Sequence, residues 1–140
     1  MNEKDLVSVI MPVYNGEQFL KEAIDSVLNQ TYKNIELIIV NDGSTDSTEK
    51  IILEYVEKDS RVKYLLVEHG GAGKARNRGI DKANGAFITF CDADDCFDKQ
   101  FVEKNIEFLR VNDRFGLSYC NTVLIDDKGK KIGRLVQMLF

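Results

Sequence analysis

The sequence predicts an α/β protein with a mostly parallel central sheet, and two observations lead to that fold class. Short runs of aromatic and β-branched residues alternate along the chain with segments whose apolar residues recur at helical spacing. The short runs are almost continuously apolar, as in strands covered on both faces. We therefore expect a Rossmann-type αβα sandwich. Because strands joined through helices run parallel, their carboxyl ends should meet at one edge of the sheet.

The first half of the chain contains two predicted strand–helix pairs. A strand over residues 6–11 is closed by Pro12, the only proline, and a second strand covers residues 35–40. The second helix should begin near Asp46, because Glu49 three residues later completes a capping-box pattern. The apolar face of the first helix consists of Phe19, Leu20, Ala23, Ile24, Val27 and Leu28.

The second half repeats this alternation and ends in a hairpin. A third strand is predicted over residues 62–67, a helix over about 74–83, a fourth strand over 87–91 and a further helix from Phe101. The hairpin should pair residues 116–125 with 131–138 through a turn at 126–129. Residues 135–140 are too apolar for a solvated tail, so we expect a truncated chain. Its uncovered C-terminal edge favours self-association.

The composition is that of one soluble globular domain over residues 1–140, with 44% hydrophobic and 30% charged residues. The net charge of −4 argues against nucleic acid as a partner, because no basic block is present to neutralise phosphates. The sequence contains no apolar run long enough for a transmembrane segment, and its start does not resemble a signal peptide. Three cysteines without a secretion signal indicate reduced thiols and a cytoplasmic location.

An acidic cluster follows the fourth predicted strand directly. Asp92, Asp94 and Asp95 lie at the carboxyl end of this strand, where open α/β sheets bind ligands. Clustered carboxylates repel one another, so a divalent cation that carries a phosphate is their natural complement. The alternative is an acidic surface turn. A zinc site is not favoured, because Cys91 and Cys96 have a spacing that fits no common zinc motif.

Three other strand ends carry side chains that suit a nucleotide. Tyr14 offers a ring on which a base can stack, Asp42 can accept a hydrogen bond from an imide N–H, and Arg76 can bind carbonyl or phosphate oxygens. Each has a purely structural alternative: a packed turn tyrosine, a turn-forming aspartate before glycine, and a surface salt bridge. Their convergence at one edge of the sheet favours a binding site.

Three familiar motifs are excluded by single residues. A dinucleotide-binding fingerprint would need glycine at Arg76, and a P-loop would need Ser or Thr after Lys74. A calcium-binding loop starting at Asp92 would need glycine where Phe97 stands. The failed fingerprint argues against a redox enzyme.

Five segments carry a recognisable combination of motifs: VSVIMPVYNG at 7–16, SVLNQTY at 26–32, VNDGSTD at 40–46, ARNRG at 75–79 and FCDADD at 90–95. In order and spacing, over residues 6–109, they resemble the family-2 inverting glycosyltransferases of the GT-A fold. The resemblance implies a GT-A-like nucleotide-sugar-binding domain and an enzyme that moves a sugar from a nucleoside diphosphate, with UDP as the favoured nucleotide. The acceptor would be a saccharide or a lipid-linked saccharide, as in polysaccharide biosynthesis, with peripheral association at the inner face of the membrane.

The resemblance also implies roles for individual residues. Asp42 would bind the base N3–H, and Arg76 would contact the base or the diphosphate. Asp92 and Asp94 would form the DXD motif, with Asp94 on Mn²⁺ or Mg²⁺ and Asp92 near the ribose or a metal-bound water. Hard oxygen ligands favour these ions over Zn²⁺. The implied nucleotide-sugar site comprises Pro12, Val13, Tyr14, Asp42, Arg76, Asp92, Ala93 and Asp94.

The catalytic base is not identified in this sequence. In the family it is an acid well beyond the DXD motif, so we expect it after residue 140, and Asp126 and Asp127 come too early. The 140-residue chain alone is therefore expected to bind a donor without transferring its sugar. Two other classes stay open: a non-catalytic nucleotide-sugar-binding module and, less favoured, a nucleotidyltransferase. The second would need a basic, glycine-rich loop after the first strand, and residues 14–17 lack one.

Overall fold

The computed structural model describes residues 6–135 and confirms the predicted α/β fold and the order of its elements. The chain forms two compact units, Met1–Glu103 (unit 1) and Lys104–Phe140 (unit 2). The expectation of a single nucleotide-sugar-binding domain over residues 1–140 stays a prediction. The elements are β1 (Val7–Val13), α1 (Leu20–Leu28), β2 (Ile35–Asn41), α2 (Thr48–Lys58), β3 (Val62–Leu66), α3 (Ala72–Ile80), β4 (Phe87–Phe90), α4 (Phe101–Val111), β5 (Thr122–Ile125) and β6 (Lys131–Leu135).

Unit 1 is built on a four-stranded parallel sheet in the order β3-β2-β1-β4. β1 and β2 occupy the middle of the sheet, and every residue in both strands is buried. Their apolar side chains, with those of α1, make up most of the core. Because all four strands run in the same direction, the loops after β1, β2, β3 and β4 leave the sheet at the same edge. That edge is where the polar strand ends were predicted to meet.

The first strand extends past Pro12 to Val13, two residues beyond its predicted end. Proline is tolerated here because pairing between β1 and β4 ends at Ile10 opposite Phe90. The backbone nitrogen of Pro12, two residues after Ile10, faces the same side of β1 as that of Ile10. β4 has already ended at that point. No ladder hydrogen bond is therefore lost through the missing N–H of proline.

The prediction that the fourth strand is buried on both faces is wrong. β4 lies at an edge of the sheet, and Ile88 and Phe90 are each 43% exposed while Phe87 and Thr89 are half-buried. Successive side chains of a strand point to opposite faces, so one face of β4 is packed and the other is open within residues 6–135. An apolar run alone cannot distinguish this edge position from a central one.

The predicted capping box at the start of α2 does not form. Asp46 Oδ1 accepts the Thr48 N–H at 3.0 Å, as a residue before a helix is expected to do. The Glu49 carboxylate does not complete the box and instead accepts a hydrogen bond of 2.6 Å from the Tyr64 hydroxyl on β3. A tertiary contact has thus replaced the local one.

A buried carboxylate organises the amino-terminal edge of the sheet, on the side away from the converging loops. Glu36 of β2 is 4% exposed and accepts hydrogen bonds from the Ser8 hydroxyl, from Lys63 Nζ and from the backbone and side-chain amides of Asn84. The Gly85 N–H donates to Ser8 Oγ at 2.9 Å. Desolvation raises the pKa of Glu36, but the hydrogen bonds outweigh it and bring the pKa from 4.5 to about 2. The network fastens the segment before β4 to β1 and β2.

Unit 2 contains the predicted closing hairpin, formed by antiparallel β5 and β6, but its first strand begins at Thr122 and not at residue 116 as predicted. Its turn lies where it was predicted, and Asp126 Oδ1 accepts the backbone N–H groups of Lys128 and Lys130. The predicted second strand extends to residue 138, and residues 136–140 lie outside the described residues. Self-association through the C-terminal edge therefore stays a prediction. Within residues 6–135, every helix is too short or too polar to cross a membrane.

Candidate functional site

A cavity of about 320 Å³ lies at the carboxyl-terminal edge of the parallel sheet in unit 1. The loops after β1 and β4, the end of β2 and the first turns of α3 all contribute to its wall. Every residue of the predicted nucleotide-sugar site lines this cavity, so the structure brings the predicted set together. The lining residues are Pro12, Val13, Tyr14, Asn15, Gly16, Phe19, Asp42, Ala72, Arg76, Asp92, Ala93 and Asp94.

The loop after β1 is held in place by the loop after β2 through hydrogen bonds in both directions. The Asn15 N–H donates to Ser44 Oγ at 3.0 Å, and Asn15 Oδ1 accepts the Thr45 N–H at 2.8 Å. The Gly16 N–H donates to Thr48 Oγ1 at 2.9 Å. Asn15 has a φ of 49°, a left-handed conformation that asparagine tolerates better than most residues. These contacts fix the backbone on either side of the cavity wall.

Asp42, at the end of β2, is almost completely buried and is surrounded by donors from the loop after β3. Its Oδ1 accepts the Gly70 N–H at 2.9 Å, and its Oδ2 accepts the Gly71 N–H at 2.8 Å. His69 Nδ1 lies 3.0 Å from Oδ2. A carboxylate offers about four acceptor positions, so Oδ1 keeps one for a ligand in the cavity. Asp42 thus organises the loop after β3 and also lines the cavity, and its role in base recognition stays a prediction.

Tyr14 lies at the mouth of the cavity and is 49% exposed. Its ring contacts the imidazole of His69, with 4.2 Å between the ring centroids and 31° between the planes. His69 does not line the cavity. The tyrosine ring is therefore supported from outside the cavity while it contributes to the wall itself.

Arg76 and Asp92 meet in the lining of the same cavity. The Arg76 guanidinium of α3 donates to Asp92 Oδ1 at 2.6 Å, and both side chains are more than one third exposed. Asp94 is exposed, and its carboxylate forms no hydrogen bond or ion pair within residues 6–135. Asp95 does not line the cavity; partial burial and the neighbouring charges of Asp94 and Asp92 raise its pKa. Asp92 and Asp94 are therefore the carboxylates available to a ligand.

The segment that follows the acidic cluster is clamped to the end of α1 by a buried glutamine. Gln30 Nε2 donates to the carbonyl oxygens of Asp98 (2.7 Å) and Ser26 (3.1 Å), while its Oε1 accepts the Val102 N–H at 3.0 Å. Ser26 Oγ in turn accepts the Phe97 N–H at 3.0 Å. These contacts account for the SVLNQTY segment, to which the sequence assigned no role. It positions the loop that carries Asp92 and Asp94.

The donor set suits a hard divalent cation only in combination with further oxygen ligands. Asp92 and Asp94 provide carboxylate oxygens, which Mg²⁺ and Mn²⁺ prefer. No group of three or more His, Cys, Asp or Glu side chains arranged to hold a metal ion occurs among residues 6–135. Burial raises the pKa of the Cys91 thiol, the one buried cysteine among the residues described. The residues therefore fit a cation that arrives with, or is completed by, a diphosphate.

The sequence interpretation missed several residues of the site. Asn15, Gly16, Phe19 and Ala72 line the cavity, and His69 supports Tyr14 and Asp42 from behind. Gly16 had a detectable signal, since it lies in the loop that follows the first predicted strand, two residues after Tyr14. A Cβ at Gly16 would lie 2.6 Å from Val13 Cγ2, so the wall requires glycine there. His69 stood inside a glycine-rich stretch, and nothing in its spacing indicated that its ring reaches two other loops.

Comparisons with known proteins agree with this geometry. The sequence model of the family described as glycosyl transferase family 2 matches residues 8–138. The uncharacterized glycosyltransferase RP339 of Rickettsia prowazekii is 44% identical over 128 residues, which cover 91% of this chain and 39% of that protein. The chain thus spans about two fifths of the length of that relative.

Two solved structures share the fold. Staphylococcus aureus TarS (residues 1–349), solved in complex with UDP, matches with a TM-score of 0.71 and 32% identity over 76% of this chain and 32% of that chain. TarS has also been solved with UDP-GlcNAc. The mannosyltransferase PcManGT of Pyrobaculum calidifontis, in complex with GDP-Man and Mn²⁺, matches with a TM-score of 0.59 and 28% identity over 66% of this chain and 29% of that chain. The predicted GT-A-like fold is confirmed by these matches.

Proposed function

Because the chain belongs to glycosyl transferase family 2, we propose that it forms the donor-binding part of a metal-dependent, inverting glycosyltransferase. The donor would be a nucleoside diphosphate sugar with uracil as the favoured base. The acceptor would be a saccharide or a lipid-linked saccharide, as in polysaccharide biosynthesis at the cytoplasmic face of a membrane. The observation that carries the proposal is the single cavity wall shared by Tyr14, Asp42, Arg76, Asp92 and Asp94.

The base would be recognised by Tyr14 and Asp42. The ring of Tyr14 is half exposed and offers a stacking surface, which tolerates any base. Asp42 provides the selectivity, because Gly70 and Gly71 each occupy an acceptor position, His69 Nδ1 lies 3.0 Å from Oδ2, and Oδ1 keeps a position for a ligand. Uracil presents an N3–H to this acceptor, whereas cytosine presents a lone pair at N3. Guanine also presents an N–H, and the likeness to PcManGT, solved with GDP-Man, keeps a GDP-sugar as the second candidate.

The diphosphate would be bound between Arg76 and the acidic pair. Arg76 can donate its remaining N–H groups to phosphate oxygens while one nitrogen stays on Asp92. Asp94, whose carboxylate has no partner within residues 6–135, would hold the divalent cation together with Asp92. The cation supplies the positive charge that neutralises the leaving diphosphate. Since the cavity offers few carboxylates to a cation, cation and nucleotide should bind cooperatively.

The transfer would exchange one bond to the anomeric carbon for another. The acceptor hydroxyl oxygen forms a bond to this carbon from the face opposite the diphosphate, and the bond to the diphosphate oxygen breaks, so the configuration inverts. A base must take the hydroxyl proton from within hydrogen-bond reach. We assign no residue of this chain to that role. Asp126, one acid beyond the DXD motif, already accepts two backbone N–H groups in the hairpin turn.

The non-catalytic alternative applies to this chain by itself, because it spans 39% of the length of the Rickettsia relative. Donor binding and sugar transfer are therefore tested separately. A binding site of this kind needs only the cavity in unit 1. Hydrolysis or transfer of the sugar by the 140-residue chain alone would rule out the non-catalytic binding module.

The test of donor binding is calorimetric titration of the chain with UDP, CDP, GDP and UMP, with Mn²⁺ and with EDTA. We expect UDP to bind more tightly than CDP, and Mn²⁺ to strengthen binding of UDP far more than that of UMP, which lacks the second phosphate. Equal affinity for UDP and CDP would remove Asp42 from base recognition. Tighter binding of GDP than of UDP would identify GDP as the nucleotide of the donor. If none of the four nucleotides binds, the proposed function is rejected.

A further inference from the structure

His69 connects the two groups that would recognise the base, and this connection is visible only in the folded chain. Its ring lies 4.2 Å from the ring of Tyr14, centroid to centroid. Its Nδ1 lies 3.0 Å from Asp42 Oδ2 and 3.0 Å from the main-chain oxygen of Asp42. His69 itself is not among the residues that line the cavity, whereas Tyr14 and Asp42 both are.

The protonation of the imidazole follows from these neighbours. Both atoms near Nδ1 are oxygen acceptors, so Nδ1 must carry a proton and act as the donor. In the neutral ring, Nε2 is then the unprotonated nitrogen. The Nδ1–H donates to the main-chain oxygen of Asp42, and Nδ1 also lies 3.0 Å from Oδ2, so it leaves less room for a ligand at Oδ2 than at Oδ1. His69 therefore influences which carboxylate oxygen of Asp42 can meet a base.

The backbone around His69 allows the loop after β3 to pack closely against the loop after β2. A Cβ at Gly43 would lie 3.3 Å from both Cβ and the backbone nitrogen of His69, and Gly43 has a φ of 72°. A side chain at this position would be strained and crowded, so glycine permits the two loops to approach. The adjacent Gly70 and Gly71 donate to the same carboxylate. The imidazole is thus held at a defined place although more than half of its side chain is exposed.

We propose that His69 is a positioning residue for nucleobase recognition: its ring supports the ring of Tyr14, and its Nδ1–H, bonded to the main-chain oxygen of Asp42 and 3.0 Å from Oδ2, holds the Asp42 carboxylate in place. This inference rests on the proposed function and adds a specificity-determining residue to that site. The two contacts use different parts of the side chain. They can therefore be separated by two substitutions that each keep one contact.

His69→Asn keeps a donor near the position of Nδ1 and removes the ring, whereas His69→Phe keeps a ring and removes the donor. Affinities of both variants for UDP and CDP are measured with Mn²⁺, with Glu68→Gln as an exposed neighbouring control. We expect His69→Asn to bind both nucleotides about three- to tenfold more weakly, the usual worth of an aromatic pair, with the UDP to CDP ratio kept. In His69→Phe, we expect the preference in affinity for UDP over CDP to fall by up to about tenfold, which is the usual contribution of one hydrogen bond.

A spectroscopic measurement without nucleotide tests the ring contact directly. The aromatic resonances of Tyr14, assigned through Tyr14→Phe, should shift in His69→Asn and stay close to their original positions in His69→Phe. Unchanged Tyr14 resonances in His69→Asn, or an unchanged UDP to CDP ratio in His69→Phe, would overturn the inference while leaving the proposed function intact. Failure of the unaltered chain to bind any nucleoside diphosphate would overturn both.

Discussion

Replacement of Glu36 with glutamine should destabilise unit 1 at neutral pH by about 3 kcal/mol. The pKa of Glu36 lies at about 2 instead of 4.5, because its hydrogen bonds to Ser8, Lys63 and Asn84 outweigh desolvation. By linkage, that difference corresponds to about 3 kcal/mol of folding free energy once the group is ionised in both states. Glutamine cannot substitute, since its NH₂ group would face donors on either side of the network.

The sign of the pH dependence follows from the lowered pKa. A carboxyl group whose pKa is lower in the folded state stabilises the fold fully above its unfolded pKa, here 4.5. This contribution disappears as the pH falls from about 4.5 towards 2. The stability difference between the unaltered chain and Glu36→Gln should therefore be constant from pH 7 to about 5.5 and shrink below pH 4.5.

The assay is urea-induced unfolding followed by circular dichroism at pH 7, 5.5, 4.5 and 3.5. Glu57→Gln, at an exposed glutamate of α2, serves as the matched control and should change stability by less than about 0.5 kcal/mol. Glu36 lies near the amino-terminal ends of the strands, whereas the cavity lies at their carboxyl-terminal ends. The folded variant should therefore keep its UDP affinity. A difference below about 1 kcal/mol, or one that does not depend on pH, would refute the reasoning about this network.

Three further outcomes concern the cavity and its support. Tyr14→Ala should weaken UDP binding by about 1–3 kcal/mol in calorimetry, the usual worth of stacking a base on an aromatic ring, and an unchanged affinity would exclude Tyr14 from the base site. Asp94→Asn should abolish the Mn²⁺-dependent part of UDP binding. Asp95→Asn, a control at the neighbouring residue that does not line the cavity, should retain most of this metal dependence. Full metal dependence in Asp94→Asn would contradict the role of Asp94 as a metal ligand. Gln30→Ala should lower stability by about 2–4 kcal/mol in urea unfolding, because it leaves buried backbone groups without partners, and should also weaken Mn²⁺-dependent UDP binding at temperatures where the chain is folded. A stable Gln30→Ala with unaltered binding would show that the clamp does not position the acidic loop.

Much of the site could be predicted because its residues follow strands directly. Parallel strands bring their carboxyl ends to one edge, so Tyr14, Asp42 and Asp92 could be grouped from their positions after predicted strands. Arg76 belonged to the same group through its place in the first turns of α3. Residues that serve the site through longer contacts were not predictable in this way. Gln30 acts on a loop 68 residues later, and no local pattern encodes such a pairing.

The errors at the sheet have the same origin. Periodicity reports how apolar a strand is, and it does not report which strands flank it. The fourth strand was therefore assigned two covered faces, while its edge position leaves Ile88 and Phe90 open. Pro12 was read as a strand end for the same reason. Whether proline interrupts a ladder depends on whether a partner is present on its N–H side, and β4 ends before that point.

The sequence by itself determined the fold class, the order of the elements and the chemical character of the strand ends, because these depend on local spacing and on the rule that parallel strands end together. The tertiary structure alone decided how these groups are used. Two backbone N–H groups bind the Asp42 carboxylate and leave an acceptor position on Oδ1, Arg76 takes one oxygen of Asp92, and the ring of His69 contacts that of Tyr14. Each of these facts is a contact between separate loops. The direction and number of hydrogen bonds at a side chain are set by atoms that only folding brings within 3 Å.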